Sequence, residues 1–209
     1  MTDLVAQANR LLTPRRLARL RAAAACRLRG LTVAFDGLHD PHNVSAALRS
    51  CEAFGVQDVH LVGDSRTVPL NRGVTRGCHR WLTFHWHASA RPCVRALHEG
   101  GFRVLLAMPG DRSPPLPAID FGRSTALVFG NEHDGVCSEF RAEADGLYRI
   151  PMYGLVESLN VSVSVAVSLA YAAEARRRAV GSATDMTPDE VQALMEAWLR
   201  RELAGRRPA

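Results

Sequence analysis

The chain has 209 residues, 47% hydrophobic and 22% charged, which suits one soluble globular domain with terminal additions. No apolar run reaches the length of a membrane span, residues 1–30 lack the layout of a secretory leader, and five scattered cysteines without a C-x-x-C pair argue against a disulfide framework or a thiolate zinc site, so a cytoplasmic protein with buried free thiols is expected. The net charge is +5 with every basic residue an arginine, and residues 1–30 alone hold seven arginines against one acid, Asp3, so the positive excess sits in one terminal segment.

That segment is a basic N-terminal helical arm over 1–30. Thr13-Pro14 is a helix start, Leu17, Leu20, Ala24 and Leu28 make an apolar stripe, and Gly30 stops the helix. Arg15, Arg16 and Arg19 fall largely off the stripe, as an arm that binds phosphates requires, although a solvated helix face has the same pattern. Leu31 to Phe35 then reads as a buried strand, followed by the loop DGLHDPHN and a helix, VSAALRSCEAFG, with Asn43 as its natural cap and Gly55 at its end.

Strands at 59–62, 81–87, 102–108, 125–129 and 147–150 alternate with a connection over 63–80, a helix at 88–99, a proline-rich loop at 109–121 and a short helix at 138–144. This order predicts an α/β domain over 31–180, a mostly parallel sheet with helices on both faces, whose ligands lie beyond the carboxyl ends of the strands. GNEHDG (130–135) and YGLVESLN (153–160) both fall there.

Residues 161–169 carry a conflict. Val161, Val163, Val165, Val167 and Leu169 alternate with small residues as a strand would, yet AYAAEARRR continues without a turn signal and Ser158 or Asn160 can cap a helix. Helix is the better reading, with Val161, Val165 and Leu169 on one face. A polar, mobile-looking linker at 181–186 leads to a C-terminal helix over 187–205, opened by the capping box Thr187-Pro188-Asp189-Glu190 and carrying Val191, Leu194, Met195 and Trp198 on its apolar face.

Three stretches, HNVSAALRSCEAFGV, ALVFGNEHDGV and IPMYGLVESLNVSVSVAV, resemble in order the three motifs of the SPOUT-class RNA ribose methyltransferases of the TrmH type. The basic arm and the C-terminal helix resemble the bacterial tRNA guanosine 2′-O-methyltransferase branch. The resemblance implies methyl transfer from S-adenosylmethionine to a ribose 2′-hydroxyl in a homodimer, with a deep trefoil knot in the C-terminal part of the domain. It implies a cofactor pocket from Phe129, Gly130, Glu132, Ile150, Met152, Leu159 and Asn160, with Gly154 allowing close backbone approach, and a catalytic set of Arg49, Asn43, Ser158, Asn160 and Glu132. It assigns tRNA as substrate and needs no metal; the charge of the arm makes Arg15, Arg16 and Arg19 its expected tRNA contacts, and no membrane is expected.

The residue types agree with this chemistry. A sulfonium donor is already activated, so the protein has to place a ribose oxygen and ease loss of its proton. Arg49 suits holding a phosphate and stabilising a developing alkoxide better than acting as a base. Asn43 is a helix cap, an orienter, or both; Glu132 is a solvated loop acid or shapes the pocket; Ser158 and Asn160 also read as simple caps. Ser158 has no His and Asp partners for a hydrolase triad, and neither a P-loop nor a G-x-G-x-x-G turn is present. His39 with His42, and His85 with His87, have spacings a metal tolerates but no carboxylate cluster beside them. His133-Asp134 departs from the family pattern at the rim of the pocket. The expected function is 2′-O-methylation of tRNA at the D-loop guanosine, position 18. The alternatives are the same reaction on rRNA or the anticodon loop, and a non-catalytic RNA-binding protein.

Overall fold

The computed structural model describes residues 2–38, 40–63, 70–110, 113–131 and 134–204. The elements in chain order are α1 (Thr2–Leu11), α2 (Pro14–Ala24), β1 (Leu31–Asp36), α3 (Pro41–Phe54), β2 (Asp58–Val62), α4 (Arg72–Thr75), β3 (Thr83–His87), α5 (Ala90–Glu99), β4 (Arg103–Ala107), β5 (Thr125–Phe129), α6 (Ser138–Glu143), β6 (Gly146–Tyr148), α7 (Val161–Val180) and α8 (Pro188–Ala204). The six strands form one parallel sheet in the order β3-β2-β1-β5-β4-β6.

β1 and β5 are buried along their whole length, which is why each reads as a near-continuous apolar run. Side chains alternate between the two covered faces. Leu31, Val33 and Phe35 pack with α3 and α7, and Ala34 packs with α5 and α6. A third core joins α1, α2 and α8 through Ala8, Leu12, Leu17, Leu20, Trp198 and Leu199, so the two ends of the chain make one helical layer. α1 was not distinguished within the arm from sequence; its apolar residues, such as Leu4 and Ala8, gain meaning only against α8.

Residues 161–180 are helical, and Asn160 is the cap, accepting from the Ser162 amide at 2.9 Å. Val161, Val165 and Leu169 are buried while Val163 and Val167 are 45% and 39% exposed, so the strand-like alternation is split across two faces of a helix. α3, by contrast, begins earlier than expected. Asp40 is its cap, accepting from the His42 amide at 2.9 Å, because Pro41 supplies the fixed first position of the helix. Asn43 therefore sits buried in the first turn, where its amide faces the protein rather than its own helix end.

The linker at 181–186 is tied down. Asp185 forms a 2.7 Å ion pair with Arg176 and accepts from the amides of Arg29 and Gly30 at 2.6 and 2.9 Å, and the Thr184 hydroxyl donates to the Arg27 carbonyl at 2.5 Å. A side chain at Gly30 would collide with the Arg176 guanidinium. Thr187 and Glu190 close the capping box before α8 in both directions. Cys51, Cys78 and Cys93 are buried thiols, Cys137 is half-buried, and Cys26 is exposed against expectation. No helix among the described residues is long and apolar enough to cross a membrane.

Candidate active site

The carboxyl ends of β4, β5 and β6 open into a cavity of about 520 Å³. Met108, Phe129, Ile150, Met152 and Leu159 give it apolar walls, and Asn131, Asp134, Arg141, Ser158 and Asn160 line it with polar groups. Phe129, Gly130, Ile150, Met152, Ser158, Leu159 and Asn160, all singled out from sequence, thus meet in one place. Glu132 and His133 lie outside the described residues.

The loop after β5 folds tightly over the strand end. Asn131 and Gly135 exchange backbone hydrogen bonds of 3.1 Å, and the Asn131 side chain accepts from the Asp134 amide at 2.7 Å. A side chain at Gly130 would collide with the Gly135 backbone, so only glycine lets the loop close. The Cys137 amide donates to Asp36 Oδ2 at 2.7 Å, fixing the loop to the end of β1. Below the cavity the Tyr148 hydroxyl donates to Ser168 Oγ at 3.0 Å, and burial pushes this phenol well above its ordinary range, so it stays neutral.

Asn160 holds the loop after β6. Its oxygen accepts from the Ser162 amide at 2.9 Å and the Ser162 hydroxyl at 2.6 Å, which leaves its nitrogen to donate to Asn43 Oδ1 at 3.1 Å. Asn43 thereby acts across helices. Tyr153, Leu155 and Val156 project into solvent at the same loop, and a Cβ on Gly154 would meet no atom of the chain within 4 Å.

Arg49 does not line this cavity. Six residues along α3 from Asn43, it is exposed and lines a second cavity of about 450 Å³ with Arg16, Arg19, Arg76, Arg80 and Trp81. Arg16 and Arg19 meet Arg49 there, whereas Arg15 is exposed outside it. Asp134 lines the cavity, as expected of the pocket rim, whereas Met108, Pro109 and Arg141 were missed by sequence reasoning. For Met108-Pro109 the signal was present, since they follow directly on a central parallel strand.

At the far side of the sheet His60, His87 and Cys93 place their ligand atoms within 4.8 Å of one another. His39 lies outside the described residues, and His85 pairs with Asp58 at 2.7 Å instead. His60 Nδ1 stands 3.0 Å from His87 Nε2, with ring planes 9° apart and centroids 5.2 Å apart. Those values describe two imidazoles head to head in one plane, so one ring donates to the other. Burial, then the charge of neighbouring His85 and His87, lowers the His60 pKa to about 3; burial also lowers that of His87.

Residues 30–170 match the SpoU rRNA Methylase family. The chain belongs to this family. It is 37% identical over 172 residues to the tRNA (guanosine(18)-2′-O)-methyltransferase of Thermus thermophilus, spanning 82% of this chain and 89% of that one. Among solved structures, the A. aeolicus TrmH/SpoU tRNA modifying enzyme superposes with a TM-score of 0.81 at 30% identity, covering 90% of this chain and 97% of that one. The AdoMet-bound rRNA methyltransferase from Sinorhizobium meliloti superposes with a TM-score of 0.62 at 28% identity, covering 76% and 59%. The SpoU match runs from the start of β1 into α7 and leaves out the α1–α2–α8 layer, into which the A. aeolicus likeness extends.

Proposed function

We propose that this chain transfers the methyl group of S-adenosylmethionine to the ribose 2′-hydroxyl of guanosine 18 in tRNA. The observation that carries the reading is the cavity beyond β4, β5 and β6, built from the second and third sequence motifs and braced to the first by the Asn43–Asn160 bond, in a chain similar over most of its length to enzymes of that name.

The cavity fits the cofactor. Its volume is in the range of nucleoside-sized sites, its walls are apolar where a flat base would lie, and Gly130 lets the loop after β5 close tightly to form its rim. When bound, S-adenosylmethionine supplies a methyl group already activated on sulfur. Asn160, locked by Ser162 and Asn43, makes a rigid polar edge to the cavity, and Ser158 beside it is exposed and available to a ribose hydroxyl. Arg49 holds a phosphate and stabilises the charge that develops on the ribose oxygen.

A homodimer belongs to the same reading. Arg49 lines a different cavity from the cofactor residues of its own protomer, while Tyr153, Leu155, Val156, Val163 and Val167 leave apolar surface beside the cofactor cavity. Both observations support a pairing in which the Arg49 of one protomer serves the cavity of the other. The path of the chain supports the knot: β6 is at one edge of the sheet, yet α7 returns to pack on α3, beside β1. In this reading the chain divides into an arm, a catalytic domain and a C-terminal helix, with arm and helix sharing one core.

The test is methyl transfer from labelled S-adenosylmethionine to unmodified tRNA, followed by nuclease mapping of the resistant position. A single modified guanosine 18 is expected; modification only elsewhere overturns the substrate, and cofactor binding with no transfer to any RNA overturns the activity.

A further inference from the structure

The cavity that holds Arg49 is a cleft between parts of the chain far apart in sequence. Arg16 and Arg19 come from α2, Arg49 from α3, and Arg76 and Arg80 from the segment leading into β3, around Trp81 and Trp198. Glu52 is the acid among its lining residues, and its carboxylate is already bonded to Arg27 at 3.0 Å. Arg16 meets Glu202 at 3.1 Å, and Arg80 gives one nitrogen to the Arg201 carbonyl at 3.1 Å. Arg19, Arg49 and Arg76 form no ion pair among the described residues. The cleft therefore holds an excess of uncompensated positive charge, converging from three directions.

Its newest member is the most unusual. Arg76 has φ 46°, the one non-glycine residue among those described with a positive φ, and Gly77 follows at 80°. A long side chain is disfavoured in that region and stays there when its surroundings impose it. The preceding turn is pinned to α3 by the Asn71 amide on Ser45 Oγ at 2.8 Å, and Thr75 is buried, so the backbone is fixed and Arg76 is left exposed at the mouth of the cleft.

The chemistry selects phosphate over base. The guanidinium of Arg16 lies 5.2 Å from the Trp81 ring centre and that of Arg80 5.7 Å, and Trp198 meets the ring edge to face at 5.5 Å. Trp81 is thus occupied and offers no platform for a stacked base, whereas forked donors suit phosphodiester oxygens. We propose that this cleft clamps the phosphodiester backbone of the substrate RNA, with Arg76 and Arg80 as contacts beyond the N-terminal arm; the identity of that RNA rests on the tRNA reading above. Such contacts fix the register of the RNA and carry no sequence preference.

The experiment is a titration of the full-length protein with an unmodified tRNA transcript at several salt concentrations of roughly 50 to 200 mM, for the parent, Arg76→Ala, Arg76→Glu and Arg80→Ala. Arg80 also holds α8, so Arg76, which forms no ion pair or side-chain hydrogen bond among the described residues, is the deciding position. Arg76→Ala is expected to weaken binding about threefold to tenfold and to reduce the slope of log affinity against log salt by about one, with Arg76→Glu weaker still and S-adenosylmethionine affinity unchanged. Parental affinity and slope in both Arg76 variants overturn the clamp, and methyl transfer by the parent protein then shows that the function survives it. A reduced slope with no methyl on guanosine 18 from the parent protein supports the clamp and overturns the function.

Discussion

Asn160 and Asn43, 117 positions apart, are joined by a 3.1 Å bond between their side-chain amides, while the same Asn160 amide caps α7 through Ser162. One side chain thus ends a loop, starts a helix and braces that helix to α3, and it does so at the edge of the cavity beyond β4, β5 and β6.

Asn160→Ser separates these tasks. Serine is as good a cap as asparagine but is too short to reach Asn43. Thermal stability is expected to fall by about 0.5–1.5 kcal/mol with the lost bond to Asn43, while methyl transfer falls about tenfold or more as the polar edge of the cavity loosens. Asn160→Ala loses the cap as well and costs about 1 kcal/mol more. Full activity in the serine variant, read by labelled methyl transfer, removes the brace from the mechanism.

Arg49 is exposed and leaves no buried partner behind, so Arg49→Ala is expected to change stability by no more than about 0.5 kcal/mol. Methyl transfer should fall by roughly two to three orders of magnitude, and Arg49→Lys should not restore it, since an ammonium lacks the fork. The proposed pairing of protomers makes a sharper prediction. Mixing Arg49→Ala with Asn160→Ala protomers rebuilds one intact site per mixed dimer if Arg49 acts across the interface. Activity regained on mixing is the expected outcome; none appears if both groups act within one protomer.

The legible parts of this molecule are those whose signal is local. β1 and β5 announce themselves as apolar runs because both faces of the sheet are covered, and Gly130, Leu159 and Asn160 lie in loops that follow parallel strands. The illegible parts depend on partners. Asn43 reads as a cap because it is polar and precedes an apolar stretch, but Asp40-Pro41 starts the helix a turn earlier and turns Asn43 inward. The alternation in 161–169 imitates a strand because Ser164 and Ser168 turn to the cavity and to Tyr148, while Val163 and Val167 stay exposed and Val161, Val165 and Leu169 enter the core. Composition cannot show that Asp185 meets Arg176, nor that α2, α3 and α8 enclose a cleft.

Asp185→Ala tests the tie between linker and domain. Both partners of the Arg176–Asp185 pair are at least nine-tenths buried, and the carboxylate also satisfies two backbone amides. Removing it leaves the Arg176 guanidinium buried against the carbonyls of Phe121 and Gly122 alone. The expected loss is about 3–5 kcal/mol, seen as a lower urea midpoint at unchanged slope. Asp185→Asn, which keeps the shape and one acceptor, should lose less. A midpoint equal to the parent in the alanine variant would mean that the arm and α8 hold the linker without this pair.

The head-to-head pair of His60 and His87 gives the fold a predictable acid limb. Burial keeps both imidazoles neutral, with the His60 pKa lowered from 6.5 to about 3, so the unfolded chain binds protons more readily than the folded one. This contribution to stability is full above the unfolded value and is lost progressively as pH falls from there toward the folded one. Neighbouring Asp58 works against the shift, while the charge of His85 adds to it. His60→Gln should lower stability near neutral pH by removing the buried bond, yet flatten the dependence between about pH 7 and pH 5, because one of the two suppressed sites is gone. Urea titrations of parent and variant at those two pH values measure both effects, and an unchanged difference between them would show that the acid limb arises elsewhere.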